Sequence, residues 1–240
     1  MGRPERIVYL KPLVDDASPG EFMRFKLTYE GPLQARRKEP SDTGQDKMAA
    51  HIHGIRQTFH AQLKRLWETN RFLKESIIHS DTANEKPRVF NSGGGWGVEA
   101  SKRMALKDYV ANLYRINGYR FVPLVRDNLE LSCNLDILFM RMDHPGSVID
   151  AGDLDNRLKT LIDALKMPTA AHAFVGNEDP KSGEDPFFVL LEDDKQVTGF
   201  SVESDTLLEP PSGSDQRTVK LIISVTIKPY VATPLNFGFS

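Results

Sequence analysis

Leu129, Leu131, Cys133, Leu135, Ile137 and Phe139 occupy alternate positions, with Glu130, Ser132, Asn134 and Asp136 between them. A period of two held this long predicts a strand across 129–142 with one buried face. Residues 22–30 repeat the pattern, with Met23, Phe25, Leu27 and Tyr29 on one side and Arg24, Lys26 and Thr28 on the other. The run 119–126 precedes the first strand, separated from it by Asp127-Asn128, and the pair reads as a hairpin. Phe187–Leu191 is wholly apolar and reads as a buried strand. A weaker strand covers 198–207. Val219, Leu221, Ile223, Val225 and Ile227 form the last one, which ends near Pro229.

Spacings of three and four mark the helices. Ile52, Ile55, Phe59, Leu63 and Leu66 predict a long helix over about 47–76. Arg56, His60 and Lys64 run along a different face of it. Two roles stay open for that line: contact with phosphate, or an ordinary solvated face. Leu106, Tyr109, Val110 and Leu113 predict a shorter helix closed by Gly118, and Leu154, Leu158, Leu161, Ile162 and Leu165 predict one from Asp153 to Lys166, stopped by Pro168. Residues 31–46, containing Arg36-Arg37-Lys38, read as a loop, as do 79–98, containing Gly93-Gly94-Gly95, and 167–186. The order of elements predicts a single α/β (α+β) domain, a mixed β-sheet packed against helices. Its core covers about 20–30 and 101–230. The long helix 47–76, the loop 79–98 and the segment 167–186 are additions to it.

Composition sets outer bounds. The chain has 240 residues and a 40% apolar fraction, enough for one domain with a core. No apolar stretch is long enough for a membrane span, and no apolar run follows Arg3, Glu5 and Arg6, so a cytoplasmic protein without a signal peptide is expected. Cys133 is alone and reads as a buried thiol. The net charge is −2, but residues 1–74 carry +5 and residues 131–240 carry −8. A basic front and an acidic back suit a polyanion and a metal respectively, and they suit plain solvated surface equally. The histidines form no HExxH pattern, and the triple glycine is not followed by the Lys-Ser/Thr of a phosphate loop.

The chemistry concentrates in two places. Asp153 falls where a helix N-cap belongs, and Asp155 falls in the first turn. Glu192-Asp193-Asp194 directly follows the apolar strand 187–191. Asp-Leu-Asp alone reads as capping. A buried strand ending in three adjacent acidic residues calls for turn chemistry or a metal, because like charges repel. If the two segments meet, Asp153, Asp155 and Asp194 can share a Mg²⁺ or Mn²⁺ ion, with Asp193 joining them or orienting the site. Lys159 then balances phosphate charge or pairs with Asp155 or Asp163. Asn156 supports a carboxylate or is a plain first-turn residue. Asp163 sits two turns beyond Asp155 and reads as an ion-pair partner.

Gly152-Asp153-Leu154-Asp155-Asn156-Arg157-Leu158-Lys159, then Asp163-Ala164-Leu165, then Asp193-Asp194-Lys195-Gln196-Val197, together resemble the RusA-type Holliday junction resolvases. The resemblance covers about residues 129–165 and 187–227. It implies a RusA-like fold and a Mg²⁺- or Mn²⁺-dependent endonuclease. Such an enzyme works as a homodimer on branched DNA and leaves 5′-phosphate and 3′-hydroxyl ends. It also implies that Asp153, Asp155 and Asp194 are the catalytic carboxylates and Lys159 the essential lysine. This chain is longer and less basic than that family. Two other readings therefore stay open: a nuclease of the same fold acting on flaps, single strands or RNA, and a nucleic-acid-binding protein without catalysis.

Overall fold

The computed structural model describes residues 22–35, 42–80, 102–142, 153–169, 174, 179–209, 217–233 and 236–239. Within these residues the chain runs β1 (Arg24–Pro32), α1 (Asp42–Thr69), α2 (Arg71–Glu75), β2 (Ile77–Ser80), β3 (Lys102–Ala105), α3 (Leu106–Leu113) and β4 (Arg115–Ile116). It continues through β5 (Tyr119–Val125), β6 (Leu131–Arg141), α4 (Asp153–Leu165), β7 (Phe187–Leu191), β8 (Val197–Thr206) and β9 (Thr218–Pro229). This is one α+β domain with mixed sheets. Among the described residues no helix is long and apolar enough to cross a membrane.

The four-stranded sheet has the order β1-β9-β6-β8. β9 pairs antiparallel with β1 and β6, whereas β6 pairs parallel with β8. The predicted alternation in β6 is realised, since Leu131, Cys133, Leu135, Ile137 and Phe139 are all buried. They join one core with Val225 and Ile227 of β9, Ile55, Phe59 and Leu63 of α1, and Leu161 and Leu165 of α4. Burying each of these larger side chains contributes roughly 1.5–3 kcal/mol. β5 and β7 form a parallel pair in a second sheet, β4-β5-β7. Val122, Leu124, Phe188 and Leu190 face the main core, and Tyr119, Phe121, Phe187 and Val189 face a smaller aromatic cluster with Phe174. Burial on both faces explains why Phe187–Leu191 is apolar without alternation.

Two expectations about the elements need correction. β5 and β6 do not form a hairpin. Asp127–Leu129 is a 3-10 turn and Glu130 has φ +53°, and this corner carries the chain from one sheet into the other. β6 has both edges taken by β8 and β9. The tight hairpin lies instead between β4 and β5, at Asn117-Gly118, whose φ values of +48° and +79° suit a two-residue turn. The long helix ends at Thr69, and Asn70 starts α2 by accepting a hydrogen bond from the Leu73 N–H at 3.0 Å.

The Arg56, His60 and Lys64 line is not a solvated face. Arg56 and His60 are buried, because α1 is covered on two sides. The Arg56 guanidinium donates to the carbonyls of Asp163 (2.8 Å) and Lys166 (3.2 Å). Nδ1 of His60 accepts from the Phe188 N–H at 2.9 Å, so its other nitrogen donates to the Gly183 carbonyl at 3.1 Å. Lys64 donates to that same carbonyl. Phosphate contact by Arg56 and His60 is therefore excluded by burial. Arg36, Arg37 and Lys38 lie outside the described residues, as do residues 81–98 of the expected loop 79–98, whose first two residues belong to β2.

Candidate functional site

The helical repeat aligns Asp155, Leu158, Lys159, Ile162, Asp163 and Lys166 along one face of α4 and its last turn. Asp194, Val197 and Phe200 form the opposite wall, and together these nine side chains line a cleft of about 470 Å³. The two walls are tied by backbone. Lys166 forms a parallel bridge with Leu191, and the Met167 N–H donates to the Leu191 carbonyl at 2.8 Å. The end of α4 is therefore fixed to the end of β7, three residues before Asp194. Arg56 reinforces the junction by bonding two of the last carbonyls of α4, where the helix dipole favours a cation.

Asp194 owes its position to a second clamp. Residues Asp194–Gln196 form a 3-10 turn capped by Asp193, whose carboxylate accepts from the Lys195 N–H at 3.0 Å. The Gln196 side-chain oxygen accepts from the N–H groups of Glu192 (3.1 Å) and Asp193 (3.2 Å), which completes a capping box. The β5–β6 corner holds this turn from outside. Gln196 donates to Asp127 at 3.2 Å, Lys195 pairs with Asp127 at 2.6 Å, and the Asp127 N–H donates to Glu192 at 2.9 Å. Turn chemistry thus accounts for Asp193, which is not among the residues lining the cleft.

The carboxylates that do line it are matched by lysines. Lys159 reaches Asp155 at 2.6 Å. Lys166 sits between Asp194 (2.8 Å) and Asp163 (3.1 Å). The hydrogen bond from Lys166 holds the Asp194 carboxyl below its ordinary range, against a smaller opposing effect of burial. Partial burial disfavours the Lys166 ammonium, yet its bonds to Asp194 and Asp163 outweigh this and raise its pKa. Asp155 and Asp194 remain 67% and 53% exposed, so water and a ligand reach both.

The structure thus brings Asp155, Lys159, Asp163 and Asp194 to one cleft. Asn156 is half-buried and not part of the lining. α4 takes Asp153 as its first residue rather than as the preceding cap, and the Asp153 side chain lies outside the described residues. Among the described residues no group of three His, Cys, Asp or Glu side chains could by itself hold a metal. Asp155 and Asp194 are exposed oxygen donors of the kind Mg²⁺ takes, but each is engaged by its own lysine. Asp163, which shares Lys166 with Asp194, lies about 12 Å along α4 from Asp155. A shared ion therefore requires both carboxylates to leave their lysines and turn towards each other.

Sequence reasoning missed Lys166 and Phe200. Lys166 was visible as the next position on the Asp155, Lys159, Asp163 line, three residues beyond Asp163. Phe200 gave no signal, because its facing depends on a bulge. No protein-family model, curated protein or solved structure matches the chain.

Proposed function

We propose that the chain is a metal-dependent, structure-selective DNA endonuclease of RusA-like type, acting in the cytoplasm as a homodimer on branched DNA. The supporting observation is that Asp155 and Asp194, far apart in sequence, face one cleft together with Lys159. The motif order that resembles the RusA-type resolvases supplies the reaction class.

In this reading Asp155 and Asp194, joined by Asp153, hold Mg²⁺ or Mn²⁺. When bound, the ion polarises the scissile phosphate and makes a water acidic enough to attack at neutral pH. Lys159 exchanges Asp155 for a non-bridging phosphate oxygen and offsets charge that grows in the transition state. Lys166 keeps Asp194 ionised and oriented, and Asp163 fixes Lys166 from the other side. The described lining carries three carboxylates and two ammonium groups, a net of −1 that repels phosphate. Asp155 and Asp194 would hold a divalent cation, which would offset this charge and favour phosphate beside Lys159 and Lys166.

Cleavage of four-way, forked, duplex and single-stranded DNA in Mg²⁺, Mn²⁺ and EDTA tests the proposal. Paired cuts in branched DNA that need the metal and vanish in Asp155→Asn are expected. Identical product traces from wild type and Asp155→Asn would end the enzyme claim. A stable monomer by light scattering, with and without DNA, would end the claim of junction resolution.

A further inference from the structure

We infer that Phe200 is a stacking platform for a nucleobase that lies outside the double helix beside the cut phosphate. The inference rests on the nuclease reading above and narrows its substrate to DNA with an unpaired or displaced nucleotide at the cleavage site.

Backbone register carries the case. β8 pairs with β6 as Val197 with Cys133, then Gly199 with Asn134 and Phe200 with Leu135. Thr198 is therefore an extra residue, a bulge. In a regular strand Val197 and Phe200, three apart, face opposite sides. The bulge turns both to the side of Cys133 and Leu135, and both line the cleft. The distortion is pinned. Thr198 Oγ1 donates to the Asn134 side-chain oxygen at 3.3 Å, and a Cβ at Gly199 would stand 2.7 Å from the Asn134 side chain. A side chain at 199 would displace the Asn134 amide that anchors Thr198.

The result is an aromatic ring 45% exposed on the same wall as Asp194. One exposed phenylalanine on an open surface means little. This one is aimed into a cleft, with Val197, Leu158 and Ile162 as apolar neighbours and Lys159 and Lys166 as cations. An apolar flat surface beside cations and carboxylates matches one nucleotide: base on the ring, phosphate on the lysines and metal. Bases in continuous duplex already stack on each other, and single-strand binding commonly uses aromatic side chains in their place. The bulge holds Phe200 ready, so little order is lost on binding.

The test uses the full chain with Ca²⁺ replacing Mg²⁺ and branched DNA carrying 2-aminopurine at the branch nucleotide. Wild type is expected to quench the probe, and Phe200→Trp to do the same. Phe200→Ala and Phe200→Leu should lose the quenching and bind branched DNA about ten-fold more weakly, with duplex binding unchanged. Phe200→Leu retains apolar bulk, so its failure isolates the ring. Equal thermal denaturation of the variants checks folding. Metal-dependent cleavage by wild type, without quenching and with unaltered binding by Phe200→Leu, overturns the stacking role alone. Failure of wild type to bind or cut any nucleic acid overturns both readings.

Discussion

Replacing Gln196 by alanine removes one side chain that is 3% exposed and makes three hydrogen bonds. Their values differ. The Glu192 N–H also donates to the Val125 carbonyl at 3.0 Å, so it keeps a partner. The bond to Asp127 ends on a half-exposed carboxylate, where water replaces it cheaply. The Asp193 N–H has no such substitute, and an orphaned amide in a part-buried turn costs about 1–3 kcal/mol. Adding a few tenths to 1 kcal/mol for each shared bond gives a total of about 2–5 kcal/mol. That is a large fraction of the roughly 5–15 kcal/mol that stabilises a domain. Urea denaturation of Gln196→Ala should show the loss as a lower midpoint with unchanged slope. Cleavage should fall by more than stability explains, because Asp194 rides on the turn that Gln196 closes. Gln196→Glu keeps the acceptor but sets a carboxylate against Asp127. Its deficit should therefore shrink as pH falls into the carboxyl range. A Gln196→Ala protein within 0.5 kcal/mol of wild type, an estimate of the usual surface-substitution spread, would refute the clamp.

Two more outcomes follow from the buried groups. Arg56→Met should cost about 3 kcal/mol or more, since two α4 carbonyls lose their donor, yet leave the salt dependence of DNA affinity untouched. A reduced salt slope would restore a phosphate contact for Arg56. His53 is fully buried among Tyr119, Phe174 and Phe187, and burial lowers its pKa from 6.5 to about 4, with the Arg56 charge adding to the effect. The folded state thus binds fewer protons than the unfolded chain. The stability from His53 is complete above pH 6.5 and is lost as pH falls towards 4. The loss amounts to about 3 kcal/mol, and buried His60 adds to it in the same direction. Unfolding free energies from pH 7 to 4 should decline more gently in His53→Phe, and an unchanged slope would contradict the assignment.

Much of this protein was legible without coordinates. Alternation in β6 and β9, the solid apolar run of β7 and the stripe of α4 depend on local period and burial, which the chain encodes directly. Asp155 and Lys159 share a helix face for the same local reason. What tertiary structure alone decided concerns partners. Asn117-Gly118 was a stronger hairpin signal than Asp127-Asn128, but only the pairing of β5 with β7 and of β6 with β8 and β9 separates the two runs into different sheets. Arg56 and His60 look like a polar surface in sequence. They are buried because the carbonyls of α4 and the Phe188 amide supply bonds that no local pattern predicts. Asp193 and Asp194 are adjacent and chemically identical, yet one caps a turn and the other faces Lys166. Phe200 enters the cleft through one extra residue in a strand, and a bulge reverses facing without leaving a mark on composition. Sequence period sets which side of an element is apolar, while the function of a polar or exposed residue depends on distant backbone brought beside it.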